Sequence, residues 1–169
     1  LIDEKLSYCT YISSDTPFNN DPNEQRTDIL LLDHAIAVSD EKNQGSIYGT
    51  IILFELKRPM RDDYTLDKNP ITQLIEYAKR IKNGKVNDSK GRPIRASAST
   101  QFYLYAVCDD TTKLEKIITV TNLKQTPDKM GYFTYNEGLN AYIELLTYDK
   151  ILLDAKRRNR VLFDYLGIE

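Results

Sequence analysis

Glu55 and Lys57, in the run "GTIILFELKRPM", are the residues of this chain best placed to do chemistry. Acid-x-Lys also occurs at Asp3/Lys5, Asp40/Lys42, Asp88/Lys90 and Asp154/Lys156, but only the copy at 55–57 ends an apolar strand-like run. Alternate residues of a strand share a face, so Glu55 and Lys57 project together with Ile51 and Leu53 behind them. Charge at the end of a core strand is costly to desolvate unless something pairs with it. The neighbouring run "DILLLDHAIAV" starts at Asp28, and pairing of the two runs would bring a second carboxylate beside Glu55. Two close carboxylates repel unless a cation lies between them. A hard divalent ion such as Mg²⁺ accepts one or two carboxylates and keeps several waters. It activates water and offsets charge growing on a phosphate, with Lys57 orienting the nucleophile or adding to that charge stabilisation.

The elements that must position these groups follow from the pattern. "DILLLDHAIAV" and "SIYGTIILFEL", apolar on both faces and separated by "SDEKNQG", predict a hairpin-like pair of central strands. "NPITQLIEYAKRIKNG" predicts a helix with Asn69 as N-cap, Pro70 at its first position and Gly84 just past its end. Ile71, Leu74, Ile75, Ala78 and Ile81 form its core stripe, and Gln73, Tyr77 and Arg80 fall on a second stripe well away from the first. "QFYLYAVC" predicts a further strand, "TTKLEKIITVTNL" a helix, and the remainder two short strands around "NEGLN" and a closing helix from about Tyr148. "SSDTPFNNDPNEQR", 13–26, is expected to be an exposed loop. The result is one α/β or α+β domain spanning 1–169.

The set "RTDILLLD", "IILFELKRP" and "QLIEYAKR" resembles the PD-(D/E)XK nuclease superfamily, over about Arg26 to Arg80. The resemblance implies a restriction-endonuclease-like core, a central mixed β-sheet flanked by helices, and Mg²⁺- or Mn²⁺-dependent hydrolysis of phosphodiester bonds in DNA, RNA not being excluded. Asp28 and Glu55 are then the metal-binding carboxylates, the carbonyl of Leu56 a further ligand, and Lys57 the catalytic lysine. Gln73 and Tyr77 match the Gln-x-x-x-Tyr pattern of the RecB-like branch, where the glutamine supports the site. Thr27 stands where the family often has proline, and an upstream helical acid, where members use one, would be Glu4 or Glu24. The whole chain is also similar to the C-terminal part of long bacterial proteins with an N-terminal GHKL-type ATPase. That similarity implies a fragment of a longer protein and makes an ATPase domain of the same chain a candidate partner.

Charge distribution adds a candidate nucleic-acid surface. The chain has a net charge of −2, yet Lys79, Arg80, Lys82, Lys85, Lys90, Arg92 and Arg95 meet a single acid, Asp88, between 79 and 95. Clustered cations of this kind bind phosphate by releasing counterions; a solvated loop is the alternative. Arg58 and Arg61 lie just after the lysine motif, and "KRRNR" at 156–160 reads as a charged helix face. His34, the only histidine, excludes a His-based zinc centre and an HNH-type nuclease. Two separated cysteines exclude a disulfide scaffold, and no GxxxxGK[ST] loop is present. No apolar run is long enough for a membrane span, which with the cysteine usage points to the cytoplasm. The functional alternative to a nuclease is a non-cleaving nucleic-acid-binding or regulatory domain of a larger ATPase.

Overall fold

The computed structural model describes residues 11–14, 28–37, 47–88 and 91–167, the backbone alone at 11–14, 34–37 and 162–163. Within them, strands β1 (Tyr11–Ser14), β2 (Ile29–Ala37) and β3 (Ile47–Leu56) are followed by helix α1 (Pro70–Lys82), β4 (Arg95–Val107) and α2 (Thr112–Val120). Short β5 (Lys124–Gln125), β6 (Gly131–Asn136), a 3₁₀ turn, β7 (Ala141–Leu146) and α3 (Tyr148–Leu166) complete the chain. The strands form one seven-stranded sheet in the order β1-β2-β3-β4-β7-β6-β5. The sheet is mixed. β3, β4 and β7 run parallel to one another, and the outer pairings on both sides are antiparallel.

Alternation along β3 sorts its side chains between two cores. Ile51 and Leu53 join Leu30, Leu32, Phe102, Leu104, Ile143 and Leu145 under α1 and α2. Ile52 and Phe54 face the other way, with Leu31, Tyr105, Leu146 and Ile151 of α3. The chain is therefore α+β, a mixed sheet with helices on both faces. β3, covered on both sides, is a near-continuous apolar run for that reason.

Helix α1 starts and stops on the predicted signals. The Asn69 side chain accepts the Thr72 N–H at 2.9 Å, Pro70 opens the helix, and Gly84 follows with φ 67°. Tyr77 differs from expectation: it is 1% exposed and belongs to the α1 core face. At about 100° per residue it lies only about 40° round the helix from Ile81, so a stripe wide enough to meet the sheet includes it. β1 covers Ser13 and Ser14, placed by sequence in an exposed loop, because their backbone pairs with Leu30 and Ile29. The described parts of the basic stretch after α1, 85–88 and 91–95, pair back on each other, with the Ile94 N–H donating to Val86 O at 2.9 Å and both side chains buried.

Candidate active site

The three parallel strands end at one edge of the sheet, the position where open sheets of this kind collect ligands. The Lys57 N–H donates to Val107 O at 2.8 Å and the Cys108 N–H to Leu146 O at 3.1 Å, tying the three strand ends together. Tyr148, opening α3, donates its hydroxyl to Lys57 O at 2.6 Å. The backbone under Glu55 and Lys57 is thus held from both sides.

Register brings the two carboxylates together. Ile29 pairs with Phe54, and one step further sets Asp28 opposite Glu55, on the sheet face covered by α1. The Leu56 N–H donates to Asp28 Oδ2, so the last residue of β3 locks that carboxylate in place. Glu55 is 4% exposed and Lys57 8%; the Lys57 ammonium donates to Glu55 Oε1. The pair joins the end of β3 to the residue just past it, two positions apart in the chain. Burial pushes the Glu55 carboxyl up, the Lys57 ammonium pulls it back, and the Asp28 charge raises it further. Tyr77 lies close enough to feel both acids: burial raises its phenol first, then Glu55 and Asp28, with Arg80 opposing.

Glu55 Oε2 is buried and accepts no hydrogen bond among the described residues. An orphaned carboxylate oxygen at such a position is costly. Oxygens of Glu55 and Asp28, on one face of paired strands beside the Leu56 backbone, are hard donors suited to Mg²⁺ or Mn²⁺. The residues fit such an ion as a two-carboxylate site completed by water. Among the described residues no group of three or more Asp, Glu, His or Cys is arranged to hold a metal ion.

A cleft of 160 Å³ opens beside Lys57, between the chain leaving β3 and the first turns of α1. Gln73 lines it with Lys57, as do Arg61, Tyr64 and Glu76. Lys57 and Gln73 therefore meet at the cleft, with Tyr77 one turn further along α1 at the carboxylates. The basic segment is placed differently. Lys79 and Arg80 are two turns along α1 from Gln73, and Lys85 and Arg92 lie on the hairpin beyond its C-terminal end. Arg92 is ion-paired with Asp88 at 2.8 Å, and Lys82 donates to Gly138 O at 2.7 Å. Arg58, next to Lys57 in the chain, is exposed and does not line the cleft. Lys90, Glu4, Glu24 and Thr27 lie outside the described residues.

Sequence reasoning missed the hydrogen bond from Tyr148, the Asp109 carboxylate that accepts the Met60 N–H at 2.6 Å, and the depth of Tyr77. The first two join residues far apart in sequence and carry no local signal; the third was open to the wheel. None of the helices among the described residues is long and apolar enough to cross a membrane. Comparison with family models, curated proteins and solved structures returned no match to this chain.

Proposed function

We propose that the end of β3 is the centre of a divalent-metal-dependent nuclease of the PD-(D/E)XK type, with a restriction-endonuclease-like core, hydrolysing phosphodiester bonds in DNA. The observation that carries this reading is the buried Glu55 carboxylate, held by Lys57 at one oxygen, opposite Asp28, and orphaned at the other. When bound, Mg²⁺ or Mn²⁺ would acidify a coordinated water and offset charge growing on the phosphoryl oxygens. Asp28 and Glu55 would hold the ion, and the Leu56 carbonyl would add a third protein oxygen beside the waters. Lys57, which holds Glu55 here, would turn its ammonium to the attacking water, Gln73 borders the same cleft, and Tyr77 closes the site toward the core. The rigid strand ends keep these groups in register, as preorganised catalysis requires.

A second reading has its own support. With Asp28 engaged by the Leu56 N–H and Glu55 by Lys57, the acids are partly compensated without any ion. A non-cleaving nucleic-acid-binding or regulatory domain of a larger ATPase-containing chain would keep such a pair for its fold. Mn²⁺ titration calorimetry on the wild-type domain and on Asp28→Ala, with and without a short DNA duplex, separates the two. Binding in the wild type that disappears in the variant is expected; no binding under either condition would favour the regulatory domain.

A further inference from the structure

The chain turns back sharply after the catalytic strand. Met60 adopts a left-handed φ of 58° although it is 78% exposed and has no packing reason to do so. That conformation is uncommon for a non-glycine residue and persists where surroundings impose it. Here the Asp109 carboxylate imposes it by accepting the Met60 N–H at 2.6 Å. The turn delivers Arg61 to the cleft beside Lys57.

Arg61 is held there on two sides. Asp63 takes a bidentate contact from Nε and Nη2, the second at 3.1 Å, and the guanidinium lies 5.8 Å from the centre of the buried Tyr64 ring. Cation and ring at this separation attract, and a planar fork fixed in this way retains little rotamer freedom. The bidentate contact uses two of the five guanidinium N–H donors. Three donors remain, and Arg61 lines the cleft with two further cations, Lys57 and Lys68, against the acids Asp67 and Glu76.

We infer that Arg61, oriented by Asp63 and Tyr64, binds a backbone phosphodiester adjacent to the scissile one, fixing the nucleic-acid strand against Lys57. This inference rests on the nuclease reading and gives that site its substrate-positioning residue. The basic hairpin beyond α1 is too far along the helix to serve that role directly.

The test is anisotropy of a fluorescently labelled DNA oligonucleotide in EDTA, where no cleavage occurs, across a range of NaCl concentrations. Arg61→Ala is expected to weaken binding about tenfold, the effect of losing one charge-assisted contact. The slope of log affinity against log salt should flatten by roughly 0.7 to 0.9. A scan of single methylphosphonate replacements should find one position that weakens the wild type but not Arg61→Ala. Arg61→Lys, which keeps the charge and loses the fork, should retain the slope and lose most of the affinity; it also serves if the alanine variant does not fold. Unchanged affinity and slope in Arg61→Ala, with wild-type binding intact, would overturn the inference while leaving Asp28, Glu55 and Lys57 to be judged by cleavage. A wild-type domain that binds no oligonucleotide in EDTA would also overturn the inference, whereas the nuclease reading stands or falls on cleavage with Mg²⁺ or Mn²⁺.

Discussion

Replacing Lys57 by methionine keeps most of the side chain's apolar length and removes its charge, leaving Glu55 buried beside Asp28 with only the weaker influence of Arg61 opposing. Breaking a buried pair from one side costs about 3–5 kcal/mol. Glu55 can escape part of that cost by taking a proton, since burial already pushes its carboxyl up and Lys57 is the largest influence opposing the rise. We therefore expect Lys57→Met to lose about 3 kcal/mol at pH 8. With a urea m-value of about 2 kcal/mol/M, the midpoint falls by about 1.5 M. The sign of the pH dependence follows from the direction of the shift. A carboxyl whose folded pKa is raised stabilises the fold fully below its unfolded pKa, and that contribution is lost as pH rises through the folded value. The deficit of Lys57→Met should thus shrink as pH is lowered from 8 toward 5. Glu55→Gln combined with Lys57→Met leaves no charge to bury and should return to within about 1 kcal/mol of the wild type, a coupling of roughly 2 kcal/mol or more. Urea melts monitored by circular dichroism at pH 5 and 8 read all of this. A pH-independent loss under about 0.5 kcal/mol in Lys57→Met, adding simply to that of Glu55→Gln, would refute the claim that the pair is buried and coupled.

Further outcomes follow from the same geometry. Asn69→Ala removes the α1 cap and also the donor to Leu66 O at 2.8 Å; a loss of about 1–2 kcal/mol in chemical denaturation is expected. Gly131→Ala would set a Cβ 2.6 Å from Leu145 O, backbone that cannot yield without disturbing β7, and should lower stability by about 1–3 kcal/mol, read as a fall in Tm. Tyr77→Phe retains the buried ring and deletes the hydroxyl close to Glu55 and Asp28; melting should be little changed while cleavage slows by about tenfold or more.

Much of the site was legible because its geometry is a matter of strand register. Asp28 precedes one apolar run and Glu55 closes the next, so antiparallel pairing alone brings them together. The limits of α1 were legible for a similar reason: Asn69, Pro70 and Gly84 act within a few residues of themselves. Tyr77 was misplaced because its hydroxyl and its neighbours Gln73 and Arg80 suggested a polar stripe, whereas a helix lying on a broad sheet buries more than its most apolar line. β4 begins at Arg95, six residues before the apolar run "QFYLYAVC", because pairing with Ile47 and Tyr48 extends it through "RASAST". Small polar residues enter a strand when a neighbour supplies the ladder, and no local propensity announces that. Arg61 illustrates the same limit at the site, since a left-handed methionine and a carboxylate on a distant segment bring it to the cleft.

The proposed metal-dependent phosphodiester hydrolysis at Asp28, Glu55 and Lys57 is tested most directly by cleavage of a plasmid and of a short duplex with Mg²⁺, Mn²⁺ or EDTA. The wild type is expected to cut in either metal and not in EDTA, with Asp28→Ala and Lys57→Ala folded and reduced by at least about a hundredfold. Cleavage that persists in EDTA, or in both folded variants, would contradict the assignment.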